Sequence, residues 1–391
     1  ALSANNTGYD NTAVGKDALL ANTTGGDNTA IGAIALAANT TGHENVAIGR
    51  YALAVSTTGG KNIAIGRNAL ATNTTADGNT AVGRASMQSN TTGENNTALG
   101  RKSLFANTTA SGSVAVGYNA MYSNTTGARN IAIGFEAYDA SDTENDNLAI
   151  GYQAMTTNTA GGTGNIAVGN YALDALTSGD YNIAIGLQAG GAITTGGNNI
   201  AIGADALLVA TTGGDNIGIG TNALRAHTTG ANNVALGTNA LEDNTSGHEN
   251  TAIGRYALKG NTEGQENTGV GNAAGENITT GDYNTAIGSS SLAAVTTTSS
   301  NTAVGALALT VNVASNNTAV GTGAASATTT GASNVAIGVN ALDLNVGGAY
   351  NVAVGHLCND TATGSSNNVA MGYNALSAAC GSNNTAVGHQ C

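Results

Sequence analysis

Proline and tryptophan are missing from this sequence of 391 residues, phenylalanine occurs twice, and only 9% of the residues are charged, against about a quarter in ordinary globular domains. A chain so poor in aromatics has little from which to build a large globular core. No stretch of about 18 consecutive apolar residues occurs, so no membrane-inserted helix is expected. The opening Ala1-Leu2-Ser3-Ala4 has no basic region leading into an apolar one and does not read as a signal peptide. Cysteine is scarce: Cys358, Cys380 and Cys391 sit near the end of the sequence and form no disulfide framework. Positive charge is scarce as well. Eleven Lys and Arg stand against 24 Asp and Glu, a net charge of −13, which repels phosphates and argues against a nucleic-acid partner.

Gly (57 residues), Ala, Asn and Thr take up the space, and they do so periodically. The Gly that closes each NTAVG-like string recurs every 17 residues from Gly15 to Gly151, and again from Gly169 to Gly305 after one step of 18. A step of 16 leads to Gly321, steps of 17 run on to Gly372, and a last step of 16 reaches Gly388. That makes 23 copies, from the first residues to the last, with no boundary between them. The expected organisation is a single repeat array over residues 1–391.

One copy, Asn45 to Lys61, names the columns. Asn45 opens the strand Asn column, in which Ser113 is the one departure. Val46 marks a β-branched column, Ala47 an Ala column interrupted only by Gly218 and Gly269, and Ile48 an aliphatic column without exception. Gly49 is followed by two variable corner residues, Arg50 and Tyr51, then a small residue (Ala52) and usually Leu or Met (Leu53). The copy ends in a turn that most often reads Asn-Thr-Thr-Gly, as at Asn22 to Gly25.

Alternation around the Gly, with β-branched residues over a span too short for a helix, predicts a strand. A unit this short cannot bury an apolar face alone, whereas stacked copies share one. The expected fold is therefore all-β: a parallel β-solenoid, or β-roll, with one coil per 17-residue repeat and about 23 coils. At about 4.8 Å per coil it would form a rod roughly 110 Å long. Strand Asn side chains such as Asn28, Asn45, Asn62, Asn165, Asn182 and Asn199 are expected to hydrogen-bond along the stack as an amide ladder. The bulky columns are assigned to the interior, so that Ile48, Ile65, Leu53 and Leu70 are buried while Arg50, Arg67 and Lys102 are exposed. The Ala column (Ala47, Ala64, Ala201 and Ala235) is then left facing outward as a flat assembly face between chains.

The string Asn45-Val46-Ala47-Ile48-Gly49 resembles the motif of trimeric autotransporter adhesin heads, and the longer NTAIGxxALxxNTTGxx unit resembles the repeat arrays of phage-type tail-fibre proteins. The adhesin repeat is usually a few residues shorter, so the turn half of the coil would be larger here. The resemblance spans the whole chain. It implies an extracellular location, at a cell surface or on a virion fibre, and a parallel homotrimer.

Other readings attach to single columns. Asn22, Asn39, Asn73, Asn90, Asn107 and Asn124 each begin an Asn-Thr-Thr sequon and are candidate glycosylation sites, against the plainer view that the triplet makes a good turn. Acidic turn residues such as Asp27, Glu44, Asp180 and Glu249 raise calcium binding between coils, but their columns also hold Lys, Asn and Ala, and calcium needs several converging oxygens. The five His are scattered over three columns, so no metal ligand set is assigned. No cofactor and no catalytic residue is assigned either, and enzymatic activity is not expected. The paired Thr columns suggest ice or glycan binding as an alternative function, although adjacent strand residues point opposite ways and only one Thr file could face water.

The favoured expectation is a structural or adhesive fibre shaft that associates with itself. A homotrimer comes first and a head-to-tail filament second, with a cell-surface glycan or receptor as a further candidate partner. Neither end carries an evident cap, so the stack is expected to continue, either into further domains or end to end.

Overall fold

The computed structural model describes residues 1–157, 161–361, 363–378 and 380–391. They form two compact units, Ala1–Asn198 and Asn199–Cys391. Both units have the same construction: a parallel β-solenoid with one three-residue strand per coil. The first contains β1 (Thr12–Val14) to β11 (Ile183–Ile185), and the second contains β12 (Ile200–Ile202) to β23 (Thr385–Val387). Neighbouring strands within each unit pair in parallel and in register, so like columns stack: Val46 on Ile63, Ala47 on Ala64, Ile48 on Ile65. The glycine that follows the strand continues the ladder, Gly49 N donating to Ile31 O at 2.8 Å and Gly66 N to Ile48 O at 2.8 Å.

Two constraints fix that glycine. Its φ lies in the positive range, +130° at Gly49, and a Cβ there would lie 2.7 Å from the carbonyl of Gly66 in the next coil. No L side chain meets both conditions without strain.

The inside of each coil is opposite to the sequence expectation. Ala47, Ala64, Ala201 and Ala235 are completely buried within their own chain, so the Ala column is core and cannot be an assembly face. Ile48 is half-buried and Ile65 is 36% exposed; the aliphatic and β-branched columns point outward. Only the Leu part of the expected interior is right, Leu53 and Leu70 both being fully buried. The reason is space. Where the Ala column holds Gly218, an added Cβ would lie 3.4 Å from Leu207 Cδ1; at Gly269 it would lie 2.8 Å from Leu258 Cγ. The Leu across the coil fills the interior, and the strand can contribute no more than a methyl group.

Strict alternation cannot produce this core, because Ala52 and Leu53 are adjacent and both buried. The Leu column solves the problem by adopting left-handed backbone, with φ of 51° at Leu53 and 49° at Leu70. Such a conformation costs a non-glycine residue about 1–2 kcal/mol, which burial of a whole Leu side chain, at about 1.5–3 kcal/mol, offsets. The amide is not sacrificed, since Leu53 N donates to Ala69 O in the next coil at 3.0 Å.

Two amide ladders flank the apolar strip. Asn45 donates from its backbone N and from Nδ2 to Oδ1 of Asn28, at 3.0 and 3.1 Å, and Nδ2 also reaches Gly59 O at 2.9 Å. Asn62 repeats this on Asn45, as Asn182 does on Asn165; Asn165 bonds in the same way to Asn147. In the second unit Asn199 Nδ2 donates to Gly213 O at 2.9 Å, and its Oδ1 accepts from Asn216. The second ladder was not foreseen, and it is made by the turn asparagines.

Candidate functional site

Since the interior is filled, any function must lie on the outward columns. The outer face of the strands carries two files side by side. In the first unit Ile63 and Ile65 are 38% and 36% exposed, and Ile131 and Ile133 are 37% and 38% exposed. The same arrangement recurs in the second unit, with Ile253, Ile287 and Ile337 among its exposed side chains. A repeated file of Val, Ile, Leu and Thr on the outer strand face of each unit is far more apolar than a surface meant only for water. A sequence signal for this orientation did exist: ten of the 23 strands begin with Thr, and a column that exchanges Thr for Ile suits a half-exposed strand better than a dry core.

The candidate glycosylation sites are corrected by the structure. Asn22, Asn39, Asn73, Asn90, Asn107 and Asn124 are all fully buried. Their Nδ2 atoms, which would have to carry a sugar, donate inward instead: Asn39 to Asn22 Oδ1 at 2.8 Å and to Gly42 O at 3.0 Å, and Asn90 to Asn73 Oδ1 at 2.9 Å. The amide three residues back from the turn glycine closes the turn from inside. The first Thr of the triplet is also committed, Thr23 Oγ1 donating to Thr40 O at 2.9 Å and Thr40 Oγ1 to Thr57 O at 3.0 Å. Only the second Thr, such as Thr24 or Thr41, is left exposed.

Charges lie on the corners and turn edges. Asp146 pairs with Arg129 one coil away, with Oδ1 2.6 Å from Nε and Oδ2 2.7 Å from Nη2, and this holds the Asp146 carboxyl below its usual range. Among the described residues no three His, Cys, Asp or Glu side chains gather into a group that could hold a metal ion. His227 replaces the turn Asn in its coil: it is fully buried, Nε2 lies 2.7 Å from Gly230 O, and burial pushes its pKa down. Cys358 fills a small-residue slot and is buried, whereas Cys391 is exposed, and neither is bridged; burial pushes the Cys358 thiol up. A shallow groove of about 500 Å³ is bordered by Leu307, Val311 and Ala327, with no titratable side chain on its walls. Among the described residues no helix is long and apolar enough to cross a membrane.

Fold and surface together define a β-solenoid repeat protein with a 17-residue period. Comparison with protein-family models gives no match, and no curated protein matches the sequence.

Proposed function

We propose that this chain is a segment of an extracellular structural or adhesive fibre, on a cell surface or a virion, that associates laterally with copies of itself. The observation that carries the reading is the pair of outward Val, Ile and Thr files, repeated coil after coil on the outer strand face of each unit. Lateral packing of that face would remove from water a stripe of apolar surface, at about 25 cal/mol per Å². A parallel homotrimer is the arrangement the adhesin-head resemblance implies, and a closed ring of identical faces satisfies it; a head-to-tail filament is the next candidate. The chain is read as non-enzymatic. The test is sedimentation of the native chain and of an Ile63→Lys, Ile65→Lys, Ile131→Lys, Ile133→Lys variant. The native chain is expected to sediment as a multiple of its mass and the variant as a smaller species with an unchanged β-sheet circular dichroism spectrum. A native monomer would sink the reading.

A second reading is favoured by one stretch of the second unit. From Thr251–Ile253 to Thr318–Val320, five successive strands present Thr beside Val or Ile on the outer face. A regular file of hydroxyls beside a file of methyls is the paired arrangement an ice-binding plane needs. Thermal hysteresis measured on the dissociated variant decides it: no hysteresis rejects the reading.

A further inference from the structure

We infer that the corner running through Arg50, Arg67, Arg84 and Arg101 is a binding track for a linear acidic polysaccharide bearing one carboxylate per sugar. The inference rests on the fibre reading only for its biological setting. These four residues occupy one corner column on consecutive coils. Their strands are in register, Ile48 on Ile65, Ile65 on Val82 and Val82 on Leu99. Each arginine carbonyl accepts from the next coil: Arg50 O from Asn68 N at 3.0 Å, Arg67 O from Ala85 N at 2.9 Å and Arg84 O from Lys102 N at 3.0 Å. The four side chains therefore leave the backbone at about 4.8 Å intervals, with the Arg50 guanidinium lying over the Tyr51 ring at 4.8 Å from its centroid.

Nothing in the fold requires that run. The same column holds Ala33, Asn170, Thr221 and Val339 elsewhere, and all four arginines are exposed. Stacked like charges repel one another. The ion pairs among the described residues are His43–Glu44, Arg129–Asp146 and Lys259–Glu242, so none of the four has a carboxylate partner. Residues 50–102 contain six Lys and Arg and two acidic residues, a local charge of 6 − 2 = +4 in a chain of −13. Lys102 is half-buried and holds its Nζ over the Phe105 and Tyr122 rings at 5.7 and 5.2 Å. At its far end the file closes on an aromatic stack. Arg101 lies 5.5 Å from the Tyr118 ring, and Tyr118, Phe135 and Tyr152 follow at 5.2 and 5.3 Å between centroids.

Spacing selects the ligand. An extended acidic peptide presents same-face side chains every second residue, about 6.6–6.8 Å apart, and falls out of step with the coils. Single-stranded nucleic acid needs open ring faces for base stacking, and the rings beside this file already cover one another. An extended β-linked polyuronate turns its carboxylates alternately to its two sides, so those on one side recur every second sugar, close to two coil rises or about 9.6 Å. Arginine's planar fork suits each carboxylate.

The probe is polymannuronate, titrated calorimetrically against the full chain at low salt. The native chain is expected to bind it, with affinity falling as salt rises, and a neutral β-linked glucan of similar length is expected not to bind. Arg67→Gln with Arg84→Gln should weaken binding about tenfold, the loss of two exposed ion pairs, while Arg67→Lys with Arg84→Lys should give an intermediate affinity. Arg255→Gln, an isolated arginine in the same column, should leave binding unchanged. Four results overturn the proposal: no binding by the native chain, undiminished binding by the double Gln variant, equal binding of the neutral glucan, or tighter binding of single-stranded DNA through the same arginines. If the double Gln variant does not fold, the salt dependence and the glucan comparison on the native chain still decide. Sedimentation of the same samples separates this from the fibre reading, because loss of polyuronate binding should leave the association state unchanged.

Discussion

At the scale of the residue, the buried amides carry most of the specificity, and their gaps are informative. The turn Asn ladder is interrupted in several coils, and at one of them the column changes: Asn39 Oδ1 has no hydrogen-bond partner, and neither does the Oγ of Ser56 in the next coil. Ser56→Asn would supply an Nδ2 to Asn39 Oδ1 and a carbonyl oxygen to Asn73 Nδ2. A gain of about 1 kcal/mol is expected for pairing a buried acceptor, read as a higher urea midpoint at unchanged slope. His227 permits a prediction of sign. Its folded pKa is depressed by burial, so in acid the unfolded chain takes up a proton that the folded one refuses. The stability it contributes is complete above the unfolded value of about 6.5 and declines as pH falls from there toward the folded value. His227→Asn restores the usual column residue and should remove that part of the acid destabilisation; equal pH profiles for native and variant chains would contradict the account.

At the scale of the element, the unit of packing is a single coil, and in some coils a change of size in one column is matched by the opposite change in another. Gly190 stands where Leu is usual, and Ile193 stands where Asn is usual. A Cβ on Gly190 would lie 2.9 Å from Leu173 Cδ2 and 3.0 Å from Ile193 Cδ1. Gly275 and Ile278 repeat the exchange, with Ile278 Cδ1 at 3.0 Å. Tyr138 with Ser141 is the reverse case: the larger residue sits in the Leu column, and the Tyr138 hydroxyl accepts from Asn147 Nδ2 at 2.6 Å. Gly190→Leu alone should overpack the coil at about 1–3 kcal/mol. Ile193→Asn alone should leave a gap of similar cost. The double substitution recreates the common coil, so its cost should fall well below the sum of the two. A double-mutant cycle on chemical unfolding measures this, and additivity would show that the two columns do not share one space.

At the scale of the whole molecule, two surfaces respond oppositely to salt. Self-association through apolar files has to overcome repulsion between chains of net charge −13. Added salt screens that repulsion and should increase the sedimenting mass. Polyuronate binding along Arg50 to Arg101 should weaken over the same range, because its attraction is screened. If both respond in the same direction, the assignment of one surface to apolar contact and the other to charge is wrong.

The sequence by itself determined the repeat, the one-strand coil, the parallel register and the strand Asn ladder, because each is a property of a periodic string in which like must stack on like. It also marked Arg50 and Arg67 as surface residues, since variable corner columns need satisfy no neighbour. Only the tertiary structure decided which side of the strand is inside. Alternation in Val46-Ala47-Ile48 marks two faces but does not say which is core, and residue size suggested the wrong one. That choice belongs to Leu53, which takes left-handed backbone, turns into the coil and leaves room across from it for a methyl group alone. Asn22 and Asn39 depend on the same fact. In a string they are sequons in a turn; in the fold their side chains point into the coil, where the amide that would carry a sugar is already bonded.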